Sequence, residues 1–174
     1  STGYEVDFGA QMKYEEFLRA KKHSSGDYGF DPIWMPPSVF DFQEAIITKC
    51  IKKGRYGAFA DTGLGKTLVQ LALAYNAVLK TNKRVLILTP LAVAFQFLNE
   101  AERICVDDIE QSKDGKFTKK IVVANYERLH LFNPEDFECV MLDESSILKN
   151  FQGSTRDAIV AFIKKVKYRF LSTA

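Results

Sequence analysis

The sequence predicts an α/β domain: a mostly parallel central sheet of about five or more strands with helices on both faces. Three observations carry that expectation. Short apolar runs of strand length alternate along the chain with longer segments of helical periodicity, the pattern of β/α/β crossovers, which are normally right-handed. Between the first such run and the helix after it stands a glycine-containing turn, Ala60-Asp61-Thr62-Gly63-Leu64-Gly65-Lys66-Thr67. A later run, Cys139-Val140-Met141-Leu142, stops abruptly at Asp143-Glu144, which puts two carboxylates where a buried parallel strand leaves its sheet.

Size and composition agree with one folded unit. The chain of 174 residues suffices for one well-buried core and is too short for two domains of this kind. A hydrophobic content of 47% with 26% charged residues argues against disorder. The 24 basic and 22 acidic residues leave a net charge of +2, so any nucleic-acid contact must be local rather than the work of a global field. Cys50, Cys105 and Cys139 have no metal-ligand spacing, and two of them lie in apolar patterns that suggest burial. No apolar stretch reaches the roughly 18 residues of a membrane span, and the first residues carry no signal-peptide pattern. A reducing, cytoplasmic location without a membrane partner is expected.

In chain order, residues 11–22 read as a short helix with Met12, Phe17 and Leu18 on its apolar face. Glycines, serines and Pro32, Pro36 and Pro37 break regularity over residues 23–37, where Trp34 and Met35 pack the arm onto the domain. Residues 1–37 are thus an N-terminal arm and residues 38–174 the core. A helix begins at Asp41, read as its cap, shows Phe42, Ile46, Ile47, Cys50 and Ile51 on one face, and ends at Gly54. Residues 56–59 supply the first strand. Residues 66–80 form a helix with almost no polar stripe, which must be covered on most sides. Residues 85–88 are the second strand, and Thr89-Pro90 turns into a helix over 92–104. Residues 107–116 are expected to be the least structured. Residues 121–124 make the third strand and 125–128 a short turn of helix. Residues 139–142 make the fourth strand. A polar segment over 145–155 leads to an amphipathic helix around residues 158–163, and residues 168–174 form a fifth strand.

The turn after the first strand has the makings of a phosphate cradle. Backbone N–H groups around Gly63, Leu64, Gly65 and Lys66 can curl about a phosphate, and the helix that follows adds the positive end of its dipole. Lys66 would reach the terminal phosphates and the Thr67 hydroxyl would supply part of a Mg²⁺ shell. Asp143 would hold the metal and Glu144 would polarise the attacking water. The plainer readings are a surface loop entering a helix and an acidic helix N-terminus stabilised by the dipole. Ala60 stands where the general pattern has glycine.

Taken together, Phe40-Asp41-Phe42-Gln43, Asp61 to Thr67, Leu88-Thr89-Pro90-Leu91, Ala124-Asn125-Tyr126-Glu127, Asp143-Glu144-Ser145-Ser146 and Leu171-Ser172-Thr173-Ala174 resemble, in order and spacing, the first RecA-like motor domain of a superfamily 2 helicase. The Snf2-like branch of DNA translocases and phage helicases is the nearest in pattern. This resemblance implies a RecA-like P-loop domain that binds ATP and Mg²⁺, with Gln43, Thr62, Gly63, Leu64, Gly65, Lys66 and Thr67 on the nucleotide. Thr67 and Asp143 would then hold the metal, and Lys66 and Glu144 would be catalytic. It implies DNA as partner, with RNA left open, touched by Thr89-Pro90 and by the face carrying Asn125, Tyr126 and Glu127. It also implies that Ser172-Thr173-Ala174 links nucleotide state to nucleic-acid binding, and that the phosphate-loop strand lies between the Asp143 strand and the last strand.

From the residues themselves alternatives stay open. Gln43 offers the donor and acceptor that adenine's edge requires, or faces solvent on its helix. Thr89 bonds a phosphate or caps the next helix, and Asn125 and Tyr126 form an ordinary turn. Lys164, Lys165, Lys167 and Arg169 meet a nucleic-acid backbone or form a solvated face. Ser146 replaces the histidine or aspartate of many related helicases. The resemblance further implies a second RecA-like domain, in the same full-length chain, whose arginines embrace the γ-phosphate. The sequence therefore reads as a piece of a longer ATPase, a helicase or double-strand translocase, with little turnover alone. The competing reading is a regulatory nucleotide-binding module; an ordinary P-loop kinase is weaker, since no acceptor-binding elements stand out.

Overall fold

Period-two alternation within the apolar runs gives each central strand two buried faces, and the helices divide between them. The computed structural model describes residues 8–23, 26–60 and 65–173, with side chains from residue 13 onward other than that of Ala60. Its elements are α1 (Phe8–His23), α2 (Asp41–Lys53), β1 (Arg55–Ala60), α3 (Lys66–Thr81), β2 (Arg84–Thr89), α4 (Ala94–Arg103), β3 (Ile109–Gln111), β4 (Ile121–Asn125), β5 (Phe137–Asp143), α5 (Glu144–Asn150), α6 (Gly153–Lys164) and β6 (Tyr168–Thr173). Six strands form one sheet in the order β1-β6-β5-β2-β4-β3, and every pairing is parallel. Val85, Ile87, Ile121, Val123, Cys139 and Met141 face α2, α3 and α4. Leu86, Leu88, Val122, Ala124, Val140 and Leu142 face the opposite layer, to which α1, α5 and α6 contribute Phe17, Ile147, Ile159 and Phe162.

Four local expectations need correction. The last strand, not the phosphate-loop strand, lies between its two neighbours, since β6 pairs with both β1 and β5. Apolar content explains the exchange: Phe170 and Leu171 of β6 are fully buried, as an interior strand demands, whereas Ala58 of β1 is exposed, as suits an edge. The segment expected to be least structured contains β3, a three-residue edge strand of half-buried side chains paired to β4. So short and polar a strand leaves no apolar run to detect.

The polar segment over 145–155, expected only to lead into a helix, begins with a helix of its own, α5. Asp143 caps α5, its Oδ1 accepting from the N–H of Ser145 at 3.1 Å and of Ser146 at 3.4 Å. Asp41, in turn, does not cap α2. Phe40 occupies that position, and the Gln43 side chain reaches back to accept from the Phe40 N–H at 3.0 Å, half of a capping box.

At the other end of α2, Gly54 takes φ 69, and three orphan carbonyls find donors in the arm. The N–H groups of Tyr28, Gly29 and Phe30 bond Lys53, Lys52 and Ile51 carbonyls at 3.0 to 3.1 Å. The arm is tied again at Asn76, which is fully buried in α3. Asn76 Oδ1 accepts from the N–H of Ile33 and Trp34 at 2.8 and 3.0 Å, and its Nδ2 donates to the Trp34 carbonyl at 2.8 Å. Trp34 meets the Tyr75 ring edge-on at 4.9 Å. No described helix is long and apolar enough to cross a membrane.

Candidate nucleotide site

Because the pairings are all parallel, Ala60, Thr89, Asn125, Asp143 and Thr173 end their strands at the same edge of the sheet. An open cleft of about 940 Å³ lies there, lined among others by Gln43, Gly65, Lys66, Thr67, Thr89 and Asp143, within the size range of small-molecule sites. Thr62, Gly63 and Leu64 lie outside the described residues.

Gly65 forms the last step of the turn before α3. Its φ is 86, and a Cβ built on it would lie 2.0 Å from Gln43 Nε2. Glycine is needed there twice over, for the left-handed backbone and for the space. Gln43 is only 4% exposed, so it belongs to the cleft wall and not to a solvent-facing helix surface. With Oε1 engaged by Phe40, its amide nitrogen remains as the group offered to the cleft.

Lys66, the first residue of α3, donates from Nζ to Asp143 Oδ2 at 2.5 Å, with side chains 24% and 17% exposed. The other carboxylate oxygen of Asp143 accepts from the Ser145 hydroxyl at 2.6 Å, and the Ser146 hydroxyl lies 3.3 Å from Oδ2. Burial alone would raise the Asp143 pKa. The Lys66 bond and charge, the Ser145 hydroxyl and the Ser146 N–H outweigh it and hold the carboxyl below its ordinary value. Tyr126 fixes the strand end: its hydroxyl accepts from the Asp143 N–H at 3.0 Å and donates to the Asp143 carbonyl at 3.2 Å. Burial pushes the Tyr126 hydroxyl strongly up, so it stays protonated and able to donate.

Glu144, the adjacent carboxylate, is not among the residues lining the cleft. It opens α5, its side chain is 11% exposed, and its Oε2 accepts from Lys21 Nζ of α1. Nothing in the sequence signalled Lys21, a partner 123 positions away. Tyr126 does stand in one of the quoted motifs, but its clamp on Asp143 is visible only in three dimensions.

The other motif residues divide. Thr89 is 3% exposed in the cleft wall, and neither the turn at Leu91–Val93 nor α4 has a side-chain cap, so its capping role falls away. Asn125 and Tyr126 are buried, and of that trio Glu127 alone is exposed, bonded through Oε2 to Asn125 Nδ2 at 2.7 Å. Arg169 is spent on the fold, donating to the carbonyls of Val166 and Lys164 and to the Tyr56 hydroxyl. Ser172, the register partner of Asp143, is fully buried with a hydroxyl that finds no partner among the described residues.

A lysine opening a helix, set against an aspartate that ends a parallel strand two places away, marks the α/β class of P-loop ATPase domains. The chain belongs to the DEAD/DEAH box helicase family, whose model matches residues 40–174, and it carries a superfamily 2 ATPase/helicase-type domain with the RecA-like fold.

Similar folds occur in the UvsW helicase from bacteriophage T4, with a TM-score of 0.61 and 17% identity over 92% of this chain and 59% of that one. The Sulfolobus solfataricus SWI2/SNF2 ATPase core in complex with dsDNA gives a TM-score of 0.62 and 20% identity over 83% and 33% of the two chains. The helicase domain of Pyrococcus furiosus Hef gives 0.55 and 21% over 76% and 31%. The chain thus spans about a third to three-fifths of the length of these structures. A sequence search among curated proteins finds no match.

Proposed function

We propose that this chain is the ATP-binding lobe of a DNA-dependent ATPase, a helicase or double-strand DNA translocase, that hydrolyses ATP when joined to a second RecA-like domain. The observation that carries the reading is the 2.5 Å contact between Lys66 and Asp143 in a cleft that also holds Gln43 and Thr67. The arm is assigned to residues 1–37 and the lobe to residues 38–174. DNA is the favoured partner because the family is one of helicases and a structure of similar fold was solved with dsDNA.

The donor set suits Mg²⁺. Among the described residues no group of three or more His, Cys, Asp or Glu could cage a metal. One carboxylate, Asp143, and one hydroxyl, Thr67, are the hard oxygen donors of an ion that takes its remaining ligands from phosphate and water. Bound there, Mg²⁺ would neutralise phosphate charge. Lys66 would exchange Asp143 for a phosphate, which the N–H groups around residues 63–66 would cradle. Gln43 would offer its amide N–H to an acceptor on the base. Glu144 would orient the attacking water.

The test is ATP turnover by the full-length parent with and without DNA. Turnover indifferent to DNA would sink the motor assignment. In the 174-residue chain, Lys66→Ala should abolish Mg-nucleotide binding while leaving the circular dichroism spectrum unchanged.

A further inference from the structure

The two adjacent carboxylates are paired with lysines from opposite sides of the chain, and only one of those lysines belongs to the cleft. Lys66 meets Asp143 from within the site. Lys21 meets Glu144 from α1, and Glu144 does not line the cleft that its neighbours Asp143 and Ser146 both line. Tyr14, Phe17 and Lys21 recur at helical spacing on one face of α1. That face lies against α6 and the start of α5: Phe17 is buried edge-on against Tyr56 at 5.4 Å, and Tyr14 is close enough for the Glu144 charge to help raise its pKa after burial has done so.

Beyond Phe17, α1 is docked by Tyr14 and Ala20, which pack against the core, by the shielded Lys21–Glu144 pair, and by contacts nearer the surface. The Lys13–Asp157 pair at 2.7 Å and the Glu16–Lys164 pair at 3.4 Å each have a partner more than half exposed, and such pairs contribute little in water. Arg156 sits 5.1 Å from the Tyr14 ring centre. Release of α1 would expose Phe17 and break the Lys21–Glu144 pair, but no strand pairing depends on α1, so the sheet can stay intact.

Resting on the reading of Glu144 as the water-orienting group, we propose that Lys21 is a restraining residue: docked α1 holds the Glu144 carboxylate away from the cleft in an ion pair, and release of α1 frees it to orient water. An ammonium on Oε2 takes up an acceptor site of the carboxylate and anchors the side chain outside the cleft. Lys66 has an alternative anion in a bound phosphate. Lys21, outside the cleft, has none, so nucleotide alone does not break the second pair.

Two measurements test this together. In the full-length parent at saturating DNA, Lys21→Ala should raise ATP turnover severalfold, with KM unchanged. Lys21→Arg should restore the wild-type rate, and Glu144→Gln should abolish turnover in either background. In the 174-residue chain, hydrogen exchange of the α1 amides should accelerate in Lys21→Ala and in Glu144→Gln, and no further in the double variant. Turnover lowered or unchanged in Lys21→Ala, while Glu144→Gln is dead, overturns the restraint and leaves the ATPase reading standing. Unchanged α1 exchange in both single variants overturns it as well. Full turnover in Glu144→Gln instead removes the water-orienting role on which the restraint rests.

Discussion

Gly65→Ala offers a sharp test of the cleft wall, because the cost can be assembled from two separable parts. A Cβ at position 65 would need φ 86, in the left-handed region, which costs a non-glycine residue about 1–2 kcal/mol. That same Cβ would stand 2.0 Å from Gln43 Nε2, so the amide must swing away. Moving it breaks the 3.0 Å bond from the Phe40 N–H to Oε1 and disturbs a side chain only 4% exposed, at a cost of about 1–2 kcal/mol. The single substitution should therefore destabilise the chain by about 2–4 kcal/mol.

Gln43→Ala removes the obstacle in advance. In that background Gly65→Ala should cost only its backbone part, about 1–2 kcal/mol, so the double-mutant cycle should show a coupling of about 1–2 kcal/mol. Urea unfolding of the four proteins, followed by far-UV circular dichroism, measures every corner of the cycle. Additivity within about 0.5 kcal/mol would refute the packing of Gln43 against the turn, and with it the placement of this amide in the cleft.

Three further outcomes follow from contacts around the site and the arm. Asp143→Asn should cost about 1–3 kcal/mol at neutral pH; because the folded pKa of Asp143 lies below its ordinary 3.8, the difference from wild type should be full above that value and vanish as pH falls through the folded pKa, so a gap that widens in acid refutes the assignment. Asn76→Ala strands the Ile33 and Trp34 N–H groups and should cost about 3 kcal/mol or more, with a red shift in the emission of Trp34, the chain's single tryptophan; an unshifted spectrum would show the arm held without Asn76. Of the three thiols, Cys105 is exposed, while Cys50 and Cys139 are buried, burial pushing Cys50 up to about 12 and Cys139 up as well; a disulfide reagent at neutral pH should therefore modify one thiol quickly and the others only on unfolding.

Most of the fold was legible because its interior strands are apolar on both faces. The runs at residues 85–88, 121–124 and 139–142 each lie inside an observed strand, and the helix over 66–80 is α3 less one residue. What escaped was whatever lacks an apolar signature. Strand β3 presents Ile109, Glu110 and Gln111 half-buried at an edge, and the place of β6 depends on nonlocal pairing that no local pattern encodes. In the site the same division holds. Lys66 and Asp143 advertise themselves by standing at the ends of apolar segments, whereas Lys21 is one lysine among several on a polar helix, and only the docking of Phe17 brings it to Glu144. Tyr126 is visible in its motif, yet sequence does not say that the residue is only 3% exposed and turned toward Asp143.

Asp143 and Glu144 are neighbours in sequence and both are largely removed from water, so each carboxylate needs a cation of its own. On the proposed reading, an anion that draws Lys66 out of its bond leaves Asp143 without one, and a divalent ion beside Thr67 restores the balance. Anion and metal should then bind with positive coupling, which by linkage is the same measured from either side. Calorimetric titration of nucleotide with and without Mg²⁺ measures that coupling. Asp143→Asn, which owes Lys66 no charge, should bind nucleotide without metal at least as well as wild type and gain far less from Mg²⁺. An equal gain in both proteins would mean that the metal is held elsewhere and that the Lys66–Asp143 contact is only a structural ion pair.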